Sequence, residues 1–223
     1  MEGNEINTSV KAVLFDMDGL IFDTEKLAEK GWIKAGEIFG YQVTQNETAK
    51  IRGCNTLANS RLFQEWFGDS EFYEKGREIR NSYILEYVRE NGMPVKEGMH
   101  ELFQYLREHG IKTALATSTQ RESVEEYFKY TDLPYAFDVT VCGTEVQNGK
   151  PAPDIFLTAA DKLGVKPEEC LVLEDSPNGI TAGHAAGCKV IMIPDMDKPE
   201  EKITKLCTKI CQNLREIITY LEK

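Results

Sequence analysis

The stretch from Lys11 to Glu25 reads KAVLFDMDGLIFDTE, and the rest of the chain can be understood from it. Its apolar, β-rich beginning, Val10 to Phe15, is typical of a strand buried on both faces of a parallel sheet. This strand ends at Asp16, and Asp18 follows closely. Because charged groups are costly to bury, both acids are expected at the carboxyl edge of the sheet. Open α/β sheets bind their ligands at that edge.

The two acids are separated by a single residue. In an extended backbone the side chains of Asp16 and Asp18 would therefore point to the same side. Carboxylates held so close repel each other unless a cation or a shared proton lies between them. An exposed acidic turn after a strand would show the same pattern, so the remaining motifs must distinguish the two interpretations.

Length and charge limit the function classes. The chain has 223 residues, a formal net charge of -11 and a pI near 4.9. Such a length suits one large core, or a core domain with a smaller insertion. A strongly acidic surface repels nucleic acid and anionic membranes, so we expect neither as a partner. It also repels anionic substrates, whose site would need local cations or a metal ion.

Segment composition predicts a cytoplasmic protein. No apolar run reaches the roughly 18 residues of a spanning helix, and Met1 to Ser9 is polar rather than signal-like. The six cysteines contain no CxxC pair and no dense disulfide framework. We therefore expect a reduced, cytoplasmic chain, which we also expect to be monomeric.

The order of the predicted elements divides the chain into two parts. Between the first strand and Gly92, apolar residues recur at helical spacing without a convincing strand. Beyond that glycine, short apolar strands alternate with amphipathic helices, which is the pattern of a parallel sheet covered on both faces. Residues 1–20 and 94–223 are accordingly predicted to form an α/β core domain, and residues 21–93 an inserted helical domain.

Polar residues also follow the later predicted strands. Thr117 and Ser118 follow the second, Lys150 lies in a Gly-Lys-Pro turn after the third, and Glu174 and Asp175 follow the fourth. The carboxyl ends of parallel strands share one edge, so these groups should meet the two acids of the first strand. Carboxylates suit Mg²⁺, and hydroxyls just before a helix suit phosphate. Each group alone could equally be a helix cap or a turn.

Four segments, in this order, resemble the motifs of the haloacid dehalogenase superfamily. They are Asp16-Met17-Asp18-Gly19, Thr117-Ser118, Lys150-Pro151 and Glu174-Asp175. The segments GKPAPDIF (149–156) and LEDSPNGI (173–180) are similar to the β-phosphoglucomutase-like branch. This resemblance covers nearly the whole chain. It implies a Rossmann-like three-layer α/β core with a parallel sheet, and a C1-type cap formed by the helical insertion.

The resemblance also implies a role for each motif residue. Asp16 would be the nucleophile that attacks phosphorus and forms an aspartyl-phosphate. Asp18 would be general acid to the leaving alkoxide and then general base to the incoming water. Thr117, Ser118 and Lys150 would bind the phosphoryl oxygens, where charge is spread in the transition state.

A magnesium site is implied by the same motifs. Mg²⁺ would be bound by Asp16, by the backbone carbonyl of Asp18 and by Asp175, with Glu174 as a further or indirect ligand. An acid at position 18 favours cleavage of a phosphate ester over dehalogenation, because only the former needs a general acid there. The ligand set therefore points to an Mg²⁺-dependent enzyme of phosphate esters.

Two positions bear on the choice between phosphatase and phosphomutase. Mutases of this branch have a histidine shortly after the Asp-Thr pair and an arginine in a G-x-S-R segment. Here Ala28 and Thr56 occupy those positions. Arg52, Gly53 and Asn55 lie where the cap's specificity loop is expected, and they are candidates for contacts with the leaving group. A plain surface loop is the other interpretation of that segment.

The motifs favour a phosphatase that acts on a small phosphorylated metabolite such as a sugar or polyol phosphate. A β-phosphoglucomutase is the alternative, on the strength of the GKPAPDIF and LEDSPNGI segments. A third hypothesis is a non-catalytic protein that binds phosphometabolites. Such a protein should lack one of the motif residues, and none is missing here.

Overall fold

A single parallel sheet forms the centre of the molecule. The computed structural model describes residues 10–52, 56–196 and 200–223. The strands are β1 (Ala12–Phe15), β2 (Lys112–Thr117), β3 (Val139–Cys142), β4 (Cys170–Glu174), β5 (Lys189–Met192) and β6 (Lys209–Ile210). They pair in the order β3-β2-β1-β4-β5-β6, all parallel. The central position of β1 places the end of the first motif in the middle of the carboxyl edge.

The helices fall into two groups along the chain. The inserted helices, which lie between β1 and residue 92, are α1 (Glu25–Phe39), α2 (Gln45–Ile51), α3 (Thr56–Phe67) and α4 (Phe72–Asn91). The later ones are α5 (Met99–Glu108), α6 (Arg121–Phe128), α7 (Asp154–Leu163), α8 (Pro177–Ala185), α9 (Glu201–Thr204) and α10 (Arg215–Leu221). No helix among the described residues is long and apolar enough to cross a membrane.

The core has three layers. In β1, Val13 and Phe15 belong to the apolar cluster on one face, which includes side chains of α5, α6 and α10. Ala12 and Leu14 belong to the cluster on the other face, which includes side chains of α7 and α8. All four strand residues are fully buried. The predicted α/β class and the two-sided burial of the first strand are therefore confirmed.

The inserted helices have an aromatic cluster of their own. Its buried members are Trp32, Ala35, Val43, Ile51, Phe63, Phe72 and Tyr73. Helices α1 and α4 approach closely at Gly31, where an added Cβ would lie 2.9 Å from the Cα of Arg80. At their base, Leu27, Ile84 and Val88 pack into the sheet's apolar cluster instead. We retain residues 21–93 as a proposed cap domain whose base shares the main core.

The two connections to the inserted helices run side by side. Phe22 forms an antiparallel bridge with Val95, and the Asp23 amide donates to the Pro94 carbonyl at 2.9 Å. The chain thus leaves and re-enters the core at one place. This pairing positions the inserted helices over the carboxyl edge of the sheet.

Two short elements were not predicted from the sequence. Strand β6 has two residues and pairs with β5, and α9 has four residues. Neither is long enough to show a hydrophobic period. Their formation depends on contacts with the finished sheet, such as the Thr208 amide donating to the Val190 carbonyl at 2.7 Å.

Candidate active site

The motif residues converge on one cavity of about 620 Å³ between the carboxyl edge of the sheet and the inserted helices. Its lining includes Asp16, Asp18, Thr117, Ser118, Lys150 and Asp175. Asp16 directly follows β1, Thr117 ends β2 and Asp175 directly follows β4. Residues far apart in the chain meet because these strands are neighbours in the sheet.

Lys150 links three segments of the site. Its ammonium group donates to Asp16 Oδ1 at 2.5 Å, to Glu174 Oε1 at 2.7 Å and to the Ala116 carbonyl at 3.0 Å. An ammonium group has three donors, so all of them have partners here. The lysine is 6% exposed, and a buried cation in this position fixes the orientation of the Asp16 carboxylate.

Burial and the neighbouring charges shift the pKa values of Asp16 and Lys150. Burial raises the pKa of Asp16 to about 8, with added repulsion from neighbouring carboxylates, while Lys150 opposes the rise. Burial disfavours the charged form of Lys150, but its two carboxylate partners outweigh that effect and raise its pKa. The lysine therefore stays protonated, whereas the raised pKa of Asp16 means that the lysine alone does not fully compensate the negative charge of this carboxylate.

A cluster of three carboxylates has the composition of a divalent-cation site. One oxygen each from Asp16, Glu174 and Asp175 lies within 4.8 Å of the others. Burial, followed by repulsion from Glu174 and Asp16, raises the pKa of Asp175. A divalent cation would offset this repulsion, and all-oxygen donors suit Mg²⁺. The donor set therefore fits magnesium.

Both carboxylate oxygens of Glu174 accept hydrogen bonds from the protein. Its Oε2 accepts from the amides of Asp175 and Ser176 and from the Ser176 hydroxyl, each at 3.0 Å. Its Oε1 accepts from Lys150. Both oxygens thus orient the lysine and the loop after β4, which suits the further or indirect ligand anticipated from the sequence.

Helix α8 begins against this carboxylate, and only a glycine fits at Gly179. A Cβ there would overlap the carboxyl group of Glu174. The Gly179 amide also donates to the capping hydroxyl of Ser176 at 3.1 Å. The small residue therefore lets the start of α8 and the buried acid pack together.

We expect Gly179→Ala to lower the free energy of unfolding, although alanine normally stabilises a helix by about 1 kcal/mol relative to glycine. Overpacking against Glu174 should reverse that sign and cost about 1–3 kcal/mol. Urea titration would measure the loss. His184→Ala, at an exposed position of the same helix, is the control, and equal midpoints for the two variants would contradict the predicted overlap.

Asp18 is oriented by two hydroxyl groups. Thr24 Oγ1 donates to its Oδ1 and Thr119 Oγ1 donates to its Oδ2, both at 2.7 Å. The Asp18 carboxylate is not part of the three-carboxylate cluster; the sequence-based expectation concerned its backbone carbonyl. These threonine partners were not foreseen, because a threonine before a helix usually signals only a cap.

The two predicted phosphate-binding hydroxyl residues differ in exposure. Thr117 is 1% exposed, and its Oγ1 accepts from the amide of Thr119 at 3.1 Å. Ser118 is exposed and lies on the cavity wall. Both lie at the carboxyl edge of β2, the strand next to β1, and line the same cavity as Asp16.

Of the predicted cap residues, Arg52 lies on the cavity wall. Its guanidinium is 3.8 Å from a carboxylate oxygen of Glu29 and 3.8 Å from Met196 Sδ. The contact with Met196 joins the inserted helices to the core across the cavity. Gly53 and Asn55 lie outside the described residues.

Two cavity-lining residues were not singled out from the sequence. Glu25 opens α1, and burial, followed by repulsion from Asp18, raises its pKa to about 7. Arg80 lies on α4, with its guanidinium 5.8 Å from the ring of Trp32. Glu25 stands in the opening motif, where its position could have suggested a role. Arg80 stands in a polar helical stretch that carries no such signal.

Comparison with known proteins identifies the family. Residues 10–187 match the model of the haloacid dehalogenase-like hydrolases. The chain belongs to this family. The family that the sequence motifs resemble and the predicted α/β fold class are thus confirmed.

Similar proteins with known names indicate which kind of hydrolase this chain is. The chain is 35% identical to the probable pseudouridine-5'-phosphatase of Drosophila melanogaster over 96% of its length and 94% of that protein's. It is 33% identical to the phosphorylated carbohydrates phosphatase of Thermotoga maritima over 82% of its length and 84% of that protein's. A β-phosphoglucomutase from Clostridium difficile has the same fold, with a TM-score of 0.78 at 21% identity, covering 96% of this chain and 97% of that one. The chain is a phosphoric monoester hydrolase of the β-phosphoglucomutase-like branch.

Proposed function

We propose that this hydrolase is an Mg²⁺-dependent phosphatase that cleaves a small sugar or polyol phosphate through an aspartyl-phosphate on Asp16. The observation that carries the proposal is the convergence of Asp16, Lys150 and the acidic cluster at the floor of one cavity. The wall above them leaves room for a small alcohol.

Asp16 is the nucleophile in this proposal. Its Oδ1 accepts from Lys150, so the other carboxylate oxygen is available to attack phosphorus in line with the leaving alcohol. Bound Mg²⁺, held by Asp16 and Asp175 with Glu174 behind them, would supply positive charge to the phosphoryl oxygens. Lys150 adds a fixed cation beside the same oxygens, and Thr117 and Ser118 add hydrogen-bond donors.

Asp18 moves the proton. Its carboxylate lies on the cavity wall and is oriented by Thr24 and Thr119. It donates a proton to the leaving alkoxide and then accepts one from the water that attacks the aspartyl-phosphate. General acid–base catalysis of this kind typically contributes about 10²–10⁴-fold.

Hydrolysis is favoured over phosphoryl transfer within a sugar. Ala28 and Thr56 line the cavity where mutases of this branch have histidine and arginine. Neither can grip the second phosphate that a mutase must retain. A coupled assay for glucose 6-phosphate formed from β-glucose 1-phosphate tests the mutase alternative directly.

The substrate class follows from the relatives and the cavity together. The relatives' names specify pseudouridine 5'-phosphate and phosphorylated carbohydrates; both are phosphate monoesters of polyhydroxylated alcohols. A panel of such esters, scored by kcat/KM with Mg²⁺ present and absent, tests the function. Release of inorganic phosphate from none of them would refute it. We further propose that the enzyme acts as a cytoplasmic monomer.

Removal of divalent ions with EDTA is expected to abolish phosphate release, and Mg²⁺ should restore it. Ion binding should also raise Tm, more at pH 8 than at pH 6. The raised pKa of Asp16, about 8 against about 4 in an unfolded chain, means that the metal-free fold loses stability as the pH rises between these values. Mg²⁺ binds the ionised carboxylates, so its effect grows over the same range.

Thermal unfolding with and without Mg²⁺ measures this shift. Asp16→Asn, which lacks the titrating ligand, should show a smaller and less pH-dependent increase in Tm. An equal increase at both pH values in the unsubstituted protein would contradict magnesium binding at this cluster.

A further inference from the structure

The half of the cavity wall formed by the inserted helices carries balanced charge. Among the described residues, its charged side chains are three arginines and three glutamates: Arg52, Arg77, Arg80, Glu25, Glu29 and Glu78. A wall built to hold a second phosphate would show an excess of cations. Here the formal charges cancel.

Two of the three arginines have carboxylate partners on their own side of the cavity. Arg52 is 3.8 Å from Glu29, and Arg77 is 2.7 Å from Glu74. Within the part of the chain that the structure describes, Arg80 has no salt bridge within 4.0 Å, and its Nε is buried without a hydrogen-bond partner. A buried donor without an acceptor destabilises the fold, more so when it is charged.

Interactions with Trp32, Glu25 and Tyr127 show where the Arg80 side chain lies. Its guanidinium stacks on Trp32 at 5.8 Å from the ring centroid. Its charge lowers the pKa of Glu25 and of Tyr127, and so partly opposes the rise that burial causes in both. Glu25 opens α1 and Tyr127 lies on α6, so the arginine faces the space between the inserted helices and the core. Asp18 repels both of these acidic groups, so this space adjoins the proposed proton donor.

Glu25 offers the complementary group. It is partly buried on the same wall, and the structure shows no hydrogen bond or ion pair for it among the described residues. A guanidinium donor and a carboxylate acceptor thus face one space next to the group that protonates the leaving alcohol.

We propose that Arg80 and Glu25 form the subsite for the leaving alcohol and select one that is uncharged. Arg80 donates to a hydroxyl or carbonyl oxygen of the alcohol, and Glu25 accepts from one of its O–H or N–H groups. This inference rests on the proposed phosphatase function and adds a selection rule to it: esters that carry a second phosphate or a carboxylate are rejected.

The rejection has an electrostatic cause. A second anion could pair with Arg80, but above about pH 7, where Glu25 is ionised, it would then lie against the Glu25 carboxylate. Like charges close together are strongly unfavourable where water is excluded. A neutral polyol or nucleoside satisfies both side chains without that repulsion, so the pair discriminates by charge.

The test compares three kinds of ester with Mg²⁺ present. Sorbitol 6-phosphate and pseudouridine 5'-phosphate are the neutral-alcohol arms, which distinguish a polyol from a nucleoside. Fructose 1,6-bisphosphate carries the second anion. Phenyl phosphate has a leaving group without hydrogen-bonding atoms, so it reports the catalytic residues alone.

Arg80→Gln should lower kcat/KM for the preferred neutral-alcohol ester by about 10- to 100-fold, the usual range for a charged hydrogen bond, and leave phenyl phosphate within about threefold. Glu25→Gln should lower the same value and raise the ratio of bisphosphate to monophosphate turnover at least about tenfold, because the repelling charge is gone. Arg61→Gln, at an exposed position of α3, is the matched control and should change neither.

Equal losses on phenyl phosphate and on the neutral-alcohol esters would show that Arg80 supports only the fold, and would overturn the subsite. Efficient cleavage of the bisphosphate by the unsubstituted enzyme would overturn the selection rule. If no ester releases phosphate, the proposed function fails by itself. In that case, calorimetric titration of the unsubstituted protein with sorbitol 6-phosphate, pseudouridine 5'-phosphate and fructose 1,6-bisphosphate tests the subsite by binding alone. The subsite proposal is wrong if the bisphosphate binds as tightly as the better of the two neutral-alcohol esters.

Discussion

Replacing Asp16 with asparagine is expected to lower kcat for phosphate release by roughly 10⁴-fold or more, since an amide cannot act as the nucleophile. The carboxylate directly follows the central strand and is oriented by Lys150. Among the described residues, the other members of the acidic cluster are Glu174, whose two oxygens have partners in the loop and the lysine, and Asp175. Steady-state phosphate release from phenyl phosphate measures the loss.

A second measurement follows the covalent step. Acid-quenched enzyme, mixed with substrate for less than one turnover, should gain the mass of one phosphoryl group on the peptide that contains Asp16. Asp16→Asn should not gain it. Asp161→Asn, at an exposed position of α7, is the matched control. Undiminished turnover by the Asp16→Asn variant, or labelling of another peptide in the unsubstituted enzyme, would exclude Asp16 as the nucleophile.

Lys150→Met is expected to remove both activity and much of the stability. Methionine fills a similar volume, but it leaves the buried carboxylates of Asp16 and Glu174 without their cation. Removing one partner from a buried ion pair costs about 3–5 kcal/mol. We expect a loss of this size in the free energy of unfolding at pH 8, measured by urea titration without metal.

The size of that loss should depend on pH in a definite direction. The pKa of Asp16 is already raised to about 8, and removal of the lysine raises it further. The folded variant therefore retains a proton that the unfolded chain, with a pKa of about 4, has released. The stability of both proteins falls as the pH rises above about 4. The fall ends near pH 8 in the unsubstituted protein but continues to higher pH in the variant, so the difference between the two grows as the pH rises through about 8.

A double variant separates stability from catalysis. Lys150→Met combined with Glu174→Gln removes the second unpaired charge and should recover part of the lost stability, a non-additive result expected for groups in contact. It should not recover phosphate release, because the cation beside Asp16 is still missing. Additive losses would mean that the lysine and the glutamate do not act as one buried unit.

Much of the site could be predicted from the sequence because the motifs follow strands. An apolar run that ends in acids predicts both a buried strand and a polar edge, as at Asp16 and Glu174. Parallel pairing then brings these edges together without any knowledge of side-chain packing. The helix–strand alternation likewise predicts the α/β class, while β6 and α9 are too short to carry a pattern.

The hydrogen bonds within the site could not be predicted in the same way. Thr24, Thr117 and Thr119 all lie in or near the motifs. Which of them orient Asp18 depends on where the start of α1 and the end of β2 place Thr24 and Thr119. The three partners of Lys150 come from three strands' ends. No spacing along the chain encodes such distances, because they arise only when the sheet is assembled.

The local sequence pattern is therefore enough to predict the strands, their buried faces and the chemical groups at the carboxyl edge of the sheet. These features can be predicted because burial and backbone periodicity depend on residues that are close together in the chain. The juxtaposition of Arg80 with Glu25 depends instead on the packing of α4 against α1 at Gly31, more than forty residues away in the chain. That contact, and the charge balance of the cavity wall it creates, is a property of the folded molecule alone.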